Sequence, residues 1–315
     1  MICEGITIGE ATEYPLKGLL TLPEDLSCPV PAVVMVHGSG PSNMDEKIMK
    51  LTPFRDLAEG LGKYGIASIR YDKRTFAHAR KMAKERPTVR AETIDDALLA
   101  IERMKKDPRI DPGRIFLLGH SMGAMLAPRI DAEGGNVTGF ILMAGTPYRL
   151  EEIVLRQLRQ AGGSRSVLKW IVGLEYRIFA RKFAGLYQMS GEEARKKRFA
   201  GNLSLYYFQE MGQKTAADYL LETKKPALIL QGGKDFQVLA QDDFLKFREL
   251  LKDRENTVFQ LYPDLNHVFV NAICGDILKA SKEYSVERHI GADVIGDIAA
   301  FILKNTPSTE HPSER

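Results

Sequence analysis

The chain has 315 residues, of which 44% are hydrophobic, enough to bury a substantial core and of a length that fits one large α/β domain carrying an insertion, the preferred reading, or two smaller domains. Its 44 basic and 41 acidic residues leave a formal charge of +3, too balanced for the broad positive footprint that nucleic-acid binding requires. No stretch approaches the roughly 18 apolar residues of a membrane span, the N-terminus does not read as a signal peptide, and Cys3, Cys28 and Cys274 are odd in number without paired spacing, which leads to the expectation of reduced thiols in a cytoplasmic protein.

In chain order, residues 5–8 and 16–22 alternate weakly about a polar turn and read as an antiparallel hairpin at a sheet edge. The runs 32–36, 67–71, 115–118, 140–143, 227–230 and 258–261 are short, continuous and rich in Val, Ile and Leu, the pattern of strands covered on both faces. Helical patterns at 54–63, 91–106, 122–130, 242–251 and 286–304 fall between them. Alternation of this kind predicts an α/β fold with a doubly wound, mostly parallel sheet, its core built from residues 1–146 and 223–304. The rhythm breaks over 147–222, where helical periodicity continues without strands and 11 of the 26 aromatic residues are concentrated. That density predicts a packed helical cap insertion. The segment carries a net +5, and its run Arg195, Lys196, Lys197, Arg198 reads as a solvated helix face. The tail 305–315 is expected to be disordered.

Residues 114–124, RIFLLGHSMGA, lead an apolar strand directly into Gly-His-Ser-Met-Gly and a helical pattern, the form of a nucleophile elbow. A serine hydroxyl stands exposed only on such a sharp turn, and Gly119 and Gly123 remove side chains that would collide there. Ser121 is therefore the candidate nucleophile. An elbow of this kind takes its acid and then its base from later in the chain. His267, in the loop LYPDLNHVF after the last strand, is the candidate base, since ligands bind beyond the carboxyl ends of parallel strands. Asp235, delivered by the Gly-Gly turn of ALILQGGKDFQV, is the candidate acid, and Asp264 is its rival. His289 reads as part of a helix, His37 as a loop-holding residue and His120 as a packing residue. The oxyanion requires two backbone donors, assigned to the amides of Met122, directly after the nucleophile, and of Ser39 in HGSGP.

These segments together resemble the α/β-hydrolase superfamily over residues 16–303. More narrowly, HGSGPSNMDE, IRYDKR, DPRIDPGRIFLLGHSMGA, LILQGGKD and LNHVF are similar to bacterial esterases related to the serine aminopeptidase and dienelactone hydrolase groups. The resemblance implies hydrolysis of carboxylic esters of small molecules by Ser121, Asp235 and His267. The family's YDKR is commonly followed by a glycine-rich segment, whereas Thr75, Phe76, Ala77 and His78 follow here, so an unusual loop is expected, with Asp72 and Arg74 paired to fix it. No cofactor, metal or nucleic-acid partner is implied, and nothing selects an oligomeric state. Two other enzymes, a serine aminopeptidase and an acyltransferase or thioesterase, share the triad; an aminopeptidase would want a cap carboxylate such as Glu210 or Asp218 turned inward. A silent α/β-hydrolase-like binding protein would be expected to lack a triad member.

Overall fold

The computed structural model describes residues 1–162 and 169–305; beyond Asn305 the C-terminal tail lies outside the described residues. The first two strands, β1 (Ile2–Ile8) and β2 (Leu16–Leu22), pair antiparallel, as the weak alternation predicts. They are followed by β3 (Val30–Val36), β4 (Ala67–Tyr71), β5 (Ile110–His120) and β6 (Gly139–Met143). The ribbon strands β7 (Arg198–Ala200) and β8 (Leu203–Ser204) precede β9 (Ala227–Gly232) and β10 (Thr257–Tyr262).

Eight of these form one sheet in the order β1-β2-β4-β3-β5-β6-β9-β10. The hairpin joins β4 antiparallel, and every later pairing is parallel. The continuous apolar runs are explained by burial on both faces. Along β3, Val34 and Val36 pack into one core layer and Val33 and Met35 into the other. The first layer holds the helices Asp95–Lys105 and Met122–Ile130, the second Pro53–Gly62 and Ala292–Lys304.

Two sequence expectations change. The C-terminal helix begins at Ala292, so His289 precedes it and bonds Asp56 at 3.0 Å instead of lying in the helix. Residues 147–222 contain the helices Leu150–Gly162, Lys169–Phe183, Gly191–Lys196, Leu205–Met211 and Ala216–Leu221, but also the antiparallel β7-β8 ribbon. Two or three residues per strand are too few to register as strand periodicity. The basic run takes the solvated reading: Lys196 and Lys197 pair with Glu192 and Glu193 one turn earlier, and Arg195 lies over the Tyr206 ring.

Among the described residues, the glycines of the elbow stand closest to backbone obstacles. A Cβ on Gly119 would stand 2.2 Å from the Gly123 carbonyl oxygen, and one on Gly123 2.1 Å from that of Val36. Both obstacles are backbone, so neither can turn aside. Gly123→Ala is therefore expected to destabilise the protein by roughly 1–3 kcal/mol or more, whereas Gly5→Ala, with open space around it, should be nearly neutral. Chemical denaturation of the two variants checks this, and equal stabilities would refute the tolerance.

Candidate active site

The helix Met122–Ile130 starts immediately after β5, and the residue between them must reverse the chain in one step. Ser121 does so at φ 54°, ψ −116°, a backbone region that a non-glycine residue occupies only under constraint. Its amide is held by the Met143 carbonyl at 2.9 Å. The turn raises the side chain into a cavity of about 520 Å³ shared with Ser39 and Met122. Among the described residues, the Ser39 and Met122 amides donate to no protein acceptor; Met122 is the first residue of its helix, where an amide has no intrahelical partner.

Asp235 and His267 arrive from the ends of β9 and β10, on the far side of β6. The loops carrying them touch backbone to backbone, since a Cβ on Gly232 would meet the carbonyl oxygens of Leu265 and Asn266 at 2.5 Å. His267 Nδ1 lies 2.7 Å from Asp235 Oδ2, with both residues buried. Asp235 Oδ1 accepts from the Gln237 and Val238 amides, and Oδ2 also accepts from Gln231 Nε2. The carboxylate is thus fixed by four donors. Asp264, by contrast, makes no hydrogen bond to His267 among the described residues; its carbonyl accepts from the Ala272 amide. Glu283, fully buried, accepts from Asn266 and from the Ile273 and Cys274 amides, tying down the chain that follows His267.

Behind these groups lies a polar web that sequence reading did not find. His37 behaves as read, bonding the Asn43 carbonyl at 3.0 Å. His120 is more than a packing residue: Nε2 lies 2.9 Å from the His267 carbonyl oxygen, and Nδ1 lies 3.0 Å from Glu46 Oε2. Burial opposes charge on His120, but the Glu46 carboxylate raises its pKa above the ordinary histidine value. Glu46 Oε1 accepts from the Gly38 amide at 2.8 Å, and the pair therefore joins the loop after β3 to the loop after β10. Glu46 is one of several charges in a loop, and no spacing distinguishes it.

The segment 71–78 also departs from expectation. Arg74 pairs with Asp96, while Asp72 accepts from the Met44 amide, so Asp72 and Arg74 do not pair. Arg74–Ala77 and Ala79–Met82 form short helices, placing Thr75, Ala79 and Met82 on the cavity wall. Lys73, buried in this segment, pairs with Glu92 at 3.0 Å, and Glu92 lines the cavity.

The opposite wall comes from residues 147–222, through Leu150, Ile153, Val154, Phe199, Leu203 and Tyr207. Phe183 does not line the cavity; it packs against Phe199 and Phe208, and the Trp170 side chain lies outside the described residues. Asp243, at the start of the 242–251 helical pattern, is wholly buried and holds the root of this segment. It accepts from Thr146 Oγ1 at 2.6 Å, from Arg156 at 2.5 Å and from the Leu239 amide.

An eight-stranded, mostly parallel sheet with a strained serine at one strand end and a buried Asp-His pair at two others is the architecture of an α/β hydrolase. The chain belongs to the alpha/beta hydrolase family, whose model matches residues 33–272. It is 34% identical over 298 residues to Esterase EstD of Thermotoga maritima, covering 94% of this chain and 67% of that protein. Its fold is similar to Est1E from Butyrivibrio proteoclasticus, with TM-score 0.59, 15% identity, and coverage of 96% of this chain and 99% of that one. It is also similar to the Pyrococcus horikoshii acylaminoacyl peptidase, with TM-score 0.59, 14% identity, and coverage of 98% and 43%.

The buried histidines give the site a pH signature. Burial, aided by nearby Lys73 and His120 and opposed by Glu46, pushes His37 down to about 4. Between that value and the ordinary 6.5, the unfolded chain binds a proton at His37 that the folded chain refuses, so stability rises with pH across this window. His37→Gln should flatten the rise by up to about 3 kcal/mol. His120 shifts the other way but is common to both proteins, so the difference between their denaturation curves at pH 4 to 6.5 isolates His37. Parallel curves would refute the assignment.

Proposed function

We propose that the protein is a carboxylesterase-type serine hydrolase acting on esters of short to medium acyl chains through Ser121, His267 and Asp235. The observation that carries this reading is the conjunction of Ser121 on its strained turn with the 2.7 Å His267–Asp235 contact, supported by 34% identity to an esterase. In this mechanism the Ser121 hydroxyl attacks the ester carbonyl while His267 Nε2 takes its proton, and Asp235 supports the imidazolium through Nδ1. The Ser39 and Met122 amides stabilise the oxyanion. Collapse of the intermediate releases the alcohol, protonated by His267, and leaves an acyl-serine. Water, deprotonated by His267, then frees the acid and restores the serine.

The cavity favours an apolar acyl group. Its volume lies within the range of small-molecule sites, and Met125, Ile153, Val154, Phe199 and Leu203 supply apolar walls. We assign residues 147–222 the part of a cap over that cavity. An amide-cleaving reading would need a carboxylate free to hold a substrate ammonium. Glu210 is engaged by the Val89 amide and Arg129, and Asp218 closes a capping box. Glu92, which does line the cavity, is taken by Lys73 and Tyr207.

A serine-directed organophosphonate should label the peptide containing Ser121 once per chain, and Ser121→Ala should abolish ester turnover. Labelling elsewhere would overturn the nucleophile. Asp235→Asn is expected to lower kcat by about 10³ to 10⁴-fold, with Asp264→Asn close to the parent; the reverse order would move the acid. Phe199→Ala should shift the ratio of kcat/KM between short and long acyl esters by about 10-fold or more, the scale of one methylene discriminated in an apolar pocket. Across the same panel, aminoacyl anilides should be cleaved only in trace. A specificity constant for them at or above that of the best ester would replace esterase by aminopeptidase.

A further inference from the structure

Lys73 is a buried cation, 2% exposed, that the mechanism above does not use. Its ammonium donates to the Gly38 carbonyl oxygen at 2.8 Å and pairs with Glu92 Oε1 at 3.0 Å. Glu92 Oε2 accepts from the Tyr207 hydroxyl at 2.6 Å. Tyr207, on the helix Leu205–Met211, also reaches Met122 Sδ at 3.4 Å. A continuous polar path therefore runs from the 147–222 segment to the loop after β3.

The path ends on one particular peptide group. The Gly38 carbonyl and the Ser39 amide belong to the same peptide, and in a trans peptide the C=O and N–H point in opposite directions; the described residues contain no cis bond. An ammonium gripping the carbonyl fixes the direction of the Ser39 N–H and polarises it, because a hydrogen bond accepted at one end of an amide strengthens donation at the other. The peptide stands beside the nucleophile, since a Cβ on Gly38 would lie 3.2 Å from Ser121 Cβ. Glu46 holds the preceding amide, that of Gly38, so the loop is also fixed on the N-terminal side of this unit.

We propose that Lys73 is a positioning residue for the oxyanion site, orienting and polarising the Gly38–Ser39 peptide, and that Glu92 and Tyr207 hold its ammonium there. Seating of the helix Leu205–Met211 thereby sets the strength of the Ser39 donor. The inference rests on the assignment of Ser121 as nucleophile and Ser39 as oxyanion donor.

The test uses the full chain. Lys73→Met removes the ammonium at similar length, and if the stranded Glu92 carboxylate prevents folding, Lys73→Met/Glu92→Gln replaces it. Phosphonate labelling is first mapped in the variant. A medium-chain ester then gives kcat and KM, and a trifluoromethyl ketone, whose adduct with the serine carries an oxyanion, gives an inhibition constant and a ¹⁹F titration of that adduct. The expected result is labelling retained at Ser121 and kcat lowered about 10- to 100-fold, less than the 10² to 10³ for deleting a direct donor. KM should stay within about threefold, the ketone should weaken in proportion to kcat, and its adduct should titrate at higher pH. Tyr207→Phe should move the same quantities by a smaller factor, about 3- to 10-fold, on the same scale. Retained labelling with unchanged kcat, or a lower kcat with unchanged ketone affinity and adduct titration, would overturn the role of Lys73 alone. Labelling at another residue would overturn the nucleophile assignment and this inference with it.

Discussion

The site depends on a single abrupt reversal of the chain. β5 runs through the middle of the sheet between β3 and β6, and Ser121 turns it straight into a helix with no intervening loop. A residue at positive φ is strained by its own Cβ, and the surrounding structure has to hold it there. The Met143 carbonyl takes the Ser121 amide, and the two glycines let the outgoing helix lie against the ends of β3 and β5 at distances no other residue permits. The same closeness brings Gly38 beside the serine. The geometry offered to a reacting carbonyl is thus a by-product of backbone packing, with side chains added to it.

This explains which parts of the molecule were legible in the sequence. Strands buried on both faces, such as β3 and β6, must be apolar along their length and announce themselves. Ser121 is visible because the turn needs glycine at fixed offsets, and Asp235 because Gly232 and Gly233 were required for the next loop to approach. Partner choice within loops was not legible. Arg74 faces Asp96 instead of Asp72, and Lys73, Glu46 and Asp243 became interior groups only because tertiary contacts closed over them. Asp45 and Asp242, the carboxylates next to Glu46 and Asp243, have the same chemistry and are not buried. The β7-β8 ribbon escaped for a different reason, its strands being shorter than one period of any useful pattern. The split of the 286–304 pattern at Ala292 is a boundary effect, for Val286 and Ile290 extend the apolar spacing without extending the helix.

The segment 147–222 is rooted in the core through Asp243, whose oxygens are divided between Thr146, at the segment's threshold, and Arg156, on its first helix. Its interior is aromatic, with Phe179, Phe183, Phe199 and Phe208 in mutual ring contact. Edge, tilted and stacked contacts of this kind give specific geometry as well as buried area. They hold Phe199 and Phe208 as one wall of the cavity. Four of the segment's eleven aromatic residues pack on one another in this way.

The charges near the cavity occur as close opposites: Lys73 with Glu92, His120 with Glu46, Arg156 with Asp243. Each pair is a compact dipole, and the field of a dipole dies away much faster with distance than that of a lone ion. A neutral molecule entering the cavity therefore crosses ground that is electrically quiet up to the strand ends, where the Ser39 and Met122 amides have no protein acceptor among the described residues. On the mechanism proposed above, discrimination on the way in falls to shape and desolvation, and polarisation is confined to the few ångströms around one carbonyl.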